Sequence, residues 1–173
     1  MMIGSDLLQH GDLLFFSGST LWLKLIQKVT DSEWSHVAIA LKLKEYPGTM
    51  VLESKEWYGV RLIPLSAYKN YKGQIWRAVD WDARGNKKGL NKAVTWGLNK
   101  LGNPYNWTEI EELAQTFLFK TKRTLHISHR SFICSVFVWE FMKQWGYQLS
   151  AIPLESPGDI SKSQFLIDWT QIY

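Results

Sequence analysis

Apolar positions along the chain fall into two regimes. Up to Val79 most come in short unbroken runs between turn formers, and beyond Asn86 they recur at helical spacing. Gly11-Asp-Leu-Leu-Phe-Phe16 follows a turn-forming pair and reads as a buried strand. Ser35-His-Val-Ala-Ile-Ala-Leu-Lys-Leu43 is a second strand that ends at a Tyr46-Pro47-Gly48 turn, and Thr49-Met-Val-Leu-Glu-Ser54 returns from it as a hairpin. Val60–Leu65 and Gly73–Val79 add two more extended pieces, so the middle of the chain is mainly antiparallel sheet. The exception is Leu21, Trp22, Leu25, Ile26 and Val29, which predict a helix capped by Ser19 or Thr20 and broken at Asp31-Ser32.

The second regime is helical. Leu90, Ala93, Val94, Gly97, Leu98 and Leu101 share one face, with Gly102 as the stop. Pro104-Tyr-Asn-Trp107 is a loop, and Thr108-x-x-Glu111 has the form of a capping box before Ile110, Leu113, Ala114 and Phe117. A further helix runs from a Ser131 N-cap to a stop at Gly146, with Glu140, Lys143 and Gln144 as its polar stripe. Phe165–Trp169 adds a last strand or covers a sheet edge. Sheet and helices segregate along the chain, which makes the class α+β, with residues 1–173 as a single domain.

Composition narrows the picture. With 173 residues, 46% apolar and 21% charged, the chain is long enough to bury a full core. One cysteine excludes an intrachain disulfide and implies no oxidising compartment. No basic region followed by an apolar run and cleavage site opens the chain, and no transmembrane segment is visible, so a cytoplasmic location is expected, with a phage or prophage origin also compatible. The net charge is +4, with Lys120, Lys122, Arg123 and Arg130 in one segment; this reads as a solvated loop or as a contact for an anionic cell-wall or phospholipid surface. Nothing beyond charge points to nucleic acid. Ten tryptophans suggest a heavily aromatic core or a gripping cleft.

The candidate chemistry centres on Cys134. It falls near the start of the last long helix, on the side away from the polar stripe, and a thiol in a helix's first turn feels the positive end of the backbone dipole, which favours thiolate. Unpaired cysteines also serve as small buried hydrophobes, so the nucleophile reading needs a base. His36, at the start of the second strand, is that base, and a carboxylate is needed to fix its tautomer. Glu53 ends the apolar run Met50-Val-Leu52 on the neighbouring strand, where a carboxylate has no packing reason to be. Direct opposition of His36 and Glu53 needs a hairpin centred between Lys44 and Glu45, whereas a turn centred on Pro47 brings residues near Glu56 opposite His36. Glu56 therefore stays as the rival orienter.

Taken with their surroundings, these residues resemble the circularly permuted branch of the NlpC-type, papain-like cysteine peptidases and amidases, related to the lecithin:retinol acyltransferase-like group. In ordinary members the Pro-Tyr-x-Trp loop and cysteine helix precede the histidine strand; here Gly102-Asn-Pro-Tyr-Asn-Trp107 and Phe132-Ile-Cys-Ser-Val-Phe-Val-Trp139 follow it. Gly11-Asp-Leu-Leu-Phe15, Ser35-His-Val-Ala-Ile39, Val51-Leu-Glu-Ser54 with Gly59-Val60, and Ser156-Pro-Gly-Asp-Ile160 match further landmarks of the permuted group. The resemblance implies a papain-like fold in which Cys134 attacks a carbonyl, His36 acts as base and then acid, and Glu53 orients His36. It also implies that Tyr105 lies near the nucleophile; Tyr105, Ser35 and Trp34 are the expected substrate-binding residues. Ile133-Cys-Ser-Val departs from the Asp-Cys-Ser-Gly of ordinary members, which bears on peptidoglycan specificity more than on the thiol.

Competing readings are thinner. His126-x-x-His129-x4-Cys134 offers three donors for a metal, but its spacing matches no known zinc motif, so no metal and no cofactor are expected. A non-catalytic cell-wall or lipid binding module on the same fold lacks a reason to hold all three reactive residue types. The expected activity is a cysteine hydrolase working through an acyl-enzyme, an amidase or peptidase on cell-wall-type peptide or a related amide. Lipid acyl hydrolysis or transfer is the alternative, since Trp22, Trp34, Trp57 and Trp107 suit a lipid or a peptide cleft equally.

Overall fold

Six strands, antiparallel at every pairing, form one sheet in the order β4-β3-β2-β1-β5-β6. They are β1 (Leu13–Ser17), β2 (His36–Lys42), β3 (Thr49–Lys55), β4 (Gly59–Pro64), β5 (Lys72–Ala78) and β6 (Leu166–Gln171). Among the described residues they are accompanied by the helices α1 (Lys87–Leu98), α2 (Cys134–Trp145) and α3 (Pro157–Ser161), with a 3-10 turn at Leu65–Tyr68. This computed structural model describes residues 7–19, 24, 27, 28, 30–79, 87–108, 131–149 and 156–171. The expected helix at 21–29 is helical at Lys24, Gln27 and Lys28, and its apolar positions lie outside the described residues, as do Lys120, Lys122, Arg123, Arg130, His126 and His129.

The short apolar runs become strands because both faces of the sheet are covered. On one face Leu13, Phe15, Val37, Ile39, Leu41 and Leu52 pack against Ala93 of α1 and Val136, Phe137, Val138 and Phe141 of α2. On the other, Leu14, Phe16, Ala38, Ala40, Val51 and Ile75 lie under Leu8 and Tyr68. β1 and β2 are the two central strands, and β1 pairs with β2 on one side and β5 on the other. A buried pair ties its start to β5: Arg77 Nε and Nη2 donate to the two oxygens of Asp12 at 2.8 Å each. β6 resolves the expectation for the tail, since it is a strand at the sheet edge and pairs with β5 through an irregularity at Ile75/Trp76.

Three local expectations are corrected. α1 ends at Leu98, short of Gly102, which instead takes a left-handed turn at φ 84° and pairs its N–H with Val60 O. The chain is already helical at Trp107 and Thr108, so Thr108 is not an N-cap. The cysteine helix starts at Cys134 behind an extended Ile133 N-cap, and Ser131 does not cap it. The cause lies one residue before the cap: Phe132 is held in a parallel bridge to Tyr105, with Phe132 N–H donating to Pro104 O and Asn106 N–H to Phe132 O, so the backbone cannot turn helical earlier. Gly146 does terminate α2, in the left-handed conformation at φ 110°. Of the polar stripe, Glu140 is buried and Lys143 exposed.

Candidate active site

Cys134 is the first residue of α2, and no side chain caps that helix end. The thiol therefore belongs to a first turn whose N–H groups have no intrahelical acceptor and carry the positive end of the helix dipole. Ser54 Oγ on β3 donates to Phe132 O at 2.6 Å and fixes the approach to the helix against the sheet. The same end of the sheet carries His36, the first residue of β2. His36 is 2% exposed and Cys134 6%, so the pair is withdrawn from solvent.

The β2–β3 register decides the orienter. Ile39 lies opposite Leu52 and Ala40 opposite Val51; counting on from that register brings Glu53 level with Ala38 and Lys55 level with His36. Neither expected turn centre holds: Glu53 meets His36 on the diagonal of the ladder, on the same face and within reach of long side chains. His36 Nε2 lies 2.5 Å from Glu53 Oε2. The Cys134 thiol is near enough to the same ring to help raise its pKa. Glu56 instead pairs with Lys55 Nζ at 3.1 Å, so the rival orienter is engaged elsewhere.

Glu53 is fully buried and held by two residues the sequence reading missed. Arg61 Nε donates to Oε1 at 2.8 Å, and the Tyr68 hydroxyl donates a short hydrogen bond to Oε2. Arg61 was findable, because a tight hairpin after Ser54 places it directly across from Glu53. Tyr68 was not: it arrives from the 3-10 turn, stacked on Phe16 at 4.0 Å, and only the assembled sheet shows the contact.

Electrostatics follow from these contacts. Burial pushes the Glu53 carboxyl up, but the His36 ring, the Tyr68 hydroxyl and the Arg61 guanidinium outweigh it and hold the group at about 2. Burial, and then the Lys55 charge, push His36 down; the Glu53 charge and the hydrogen bonds of Cys134 and Glu53 prevail, and its pKa is raised. Tyr68 is raised strongly by burial and by the adjacent carboxylate, so its hydroxyl stays protonated as a donor.

Of the expected substrate-binding residues, Tyr105 forms the bridge to Phe132, and its ring meets Trp107 edge-on at 5.2 Å. Trp107 in turn packs on Trp57 at 4.7 Å, and Trp57, on the β3–β4 turn at φ 69°, is 81% exposed. These three rings run from solvent to the segment that leads into Cys134. Ser35 and Trp34 are engaged within the protein: the Ser35 hydroxyl donates to Phe16 O and accepts from Gly18 N–H, and Trp34 packs against Phe15 in the core.

Among the described residues no helix is long and apolar enough to cross a membrane, and no group of three or more His, Cys, Asp or Glu is placed to hold a metal ion. The crystal structure of the metalloprotein YiiX from Escherichia coli O157:H7 superposes with a TM-score of 0.70 at 18% identity, covering 94% of this chain and 97% of that one, which shows a shared fold. No curated protein sequence matches the chain. The family described as permuted papain-like amidase enzyme, YaeF/YiiX, C92, matches residues 7–164. An antiparallel sheet, a cysteine at the head of the helix packed on it, and a match over nearly the whole length make this chain a member of the C92 family of permuted papain-like amidases, a cysteine hydrolase by lineage.

Proposed function

We propose that the protein is an amidase in which Cys134 is the nucleophile, His36 the acid and base, and Glu53 the group that fixes His36. The observation that carries this reading is the buried His36 ring, held at Nε2 by Glu53 and acted on by the nearby Cys134 thiol at the head of α2. His36 takes the thiol proton, and the thiolate attacks the amide carbonyl carbon. The tetrahedral oxyanion accepts from the backbone N–H of Cys134, a helix-end donor with no intrahelical acceptor. Collapse breaks the C–N bond, and the imidazolium gives its proton to the departing amine. Water, deprotonated by His36, then attacks the thioester and releases the carboxylic acid and the free thiol. Glu53 stays ionised throughout, braced by Arg61 and Tyr68.

The substrate in this reading is a peptide amide of the cell-wall type. A second reading, acyl-lipid amide or ester cleavage, is favoured by one observation, the exposed Trp57 packed on Trp107. The test is Cys134 alkylation by iodoacetamide against pH, followed by intact mass, in wild type and His36→Ala, then turnover of peptide amides and of long-chain acyl amides. Fast labelling near pH 6 that disappears with His36 supports the thiolate–imidazolium pair. Labelling that rises only above about pH 8.5 in both proteins marks an ordinary thiol and ends the reading. Turnover restricted to long-chain acyl amides replaces the peptide substrate with a lipid one.

A further inference from the structure

Lys55 is the last residue of β3 and is 6% exposed. Counting on from the β2–β3 ladder brings it level with His36 on the same face of the sheet, and its charge acts on the ring. Its Nζ is enclosed but makes no hydrogen bond among the described residues. The Glu56 carboxylate lies 3.1 Å away in an ion pair without hydrogen-bonding alignment, and the Tyr71 ring is 5.9 Å below. An ammonium has three donors, and lysine is almost never buried unless they are used. Glu56 sits on the β3–β4 turn with its side chain partly in solvent, so it is a counter-ion that can swing out.

We propose that Lys55 is a specificity-determining residue that binds a carboxylate carried by the amide substrate close to its scissile bond, displacing Glu56. This rests on the amidase reading above. A carboxylate in that place takes the unused ammonium donors while the carbonyl is presented to Cys134, so acids are selected over the corresponding neutral amides. The purely structural alternative, a cation that only packs beside Tyr71, gives no discrimination between charged and neutral ligands.

Two alkylating reagents of nearly equal size separate these cases. Iodoacetate carries a carboxylate beside the reactive carbon, and iodoacetamide a neutral amide; the thiolate displaces iodide from either. The rate ratio is measured on Cys134 in wild type, Lys55→Met, Lys55→Arg and Glu56→Gln. Rates are compared at one pH below 6.5, where His36, raised in wild type and freed from the lowering charge in Lys55→Met, is protonated, so that the preference due to its imidazolium cancels. The expected result is a drop in the iodoacetate preference of about tenfold in Lys55→Met, retention in Lys55→Arg and a rise in Glu56→Gln. Rapid labelling by both reagents with one ratio in wild type, Lys55→Met and Glu56→Gln overturns the proposal and leaves the amidase reading intact. Slow labelling of wild type by both reagents overturns the two together. Should Lys55→Met fail to fold, the turn variant Glu56→Gln decides: a raised ratio supports the proposal and an unchanged one overturns it.

Discussion

His36 and Glu53 meet across the diagonal of the β2–β3 ladder, 2.5 Å apart, rather than face to face. The carboxylate therefore approaches the ring from the side, and Arg61, directly opposite Glu53 on β4, holds it there. Glu53→Gln keeps the shape but removes the charge that raises His36. The alkaline limb of the kcat/KM profile should move to lower pH and activity should fall by about 100-fold or more, with the near-UV circular dichroism unchanged.

Tyr68→Phe removes one donor to Glu53 and leaves Arg61 and His36 in place. A hydrogen bond to a buried charge contributes about 1.5–3 kcal/mol. Urea unfolding should show a loss in that range, and the loss in kcat should be smaller than that of Glu53→Gln.

The buried pair also sets a pH window for stability. Glu53 is depressed from 4.5 to about 2, so its contribution is complete above pH 4.5 and is lost as the pH falls toward 2. His36 is raised above 6.5, so its contribution is complete below 6.5 and is lost as the pH climbs through the folded value. Urea midpoints should accordingly peak between pH 4.5 and 6.5, and Glu53→Gln should flatten both limbs.

Gly59 occupies φ 70°, and a Cβ there would run into the backbone carbonyl of Asn103, which accepts from Val60 N–H. Gly59→Ala adds about 1–2 kcal/mol of left-handed strain before any clash. Because the loop it displaces carries Tyr105, stability and kcat/KM should fall together.

Arg77→Met tests the opposite case. It strands the buried Asp12 charge at the junction of β1 and β5, which destabilises by roughly 3–5 kcal/mol. Activity per folded molecule should be unchanged, since neither residue touches His36, Glu53 or Cys134.

How much of this was legible in the sequence depends on the range of each interaction. Apolar runs such as Leu13–Phe16 and Val37–Leu41 announced doubly covered strands because burial acts locally on composition. The reactive residue types and their order along the chain pointed to the permuted family, which the match confirms. The Ser131 cap failed because Tyr105, distant in sequence, pins Phe132 in an extended bridge, and no local propensity registers that. Glu53 and Glu56 were inseparable while the register was unknown: a shift of one residue moves a side chain to the other face. Tyr68 required knowing which element covers the second face of the sheet.

The hydrogen bond from Ser54 to Phe132 spans 78 residues of sequence. Synthesis proceeds from the N-terminus, so β1 to β4, with His36, Glu53 and Arg61, are made well before the cysteine helix. A nascent chain thus owns its base and orienter early but receives a nucleophile late, and closing so long a loop is slow. Reactivity is in this way coupled to completion of folding: a truncated or stalled chain holds no competent thiol, and an unfolded one leaves Cys134 without its imidazole.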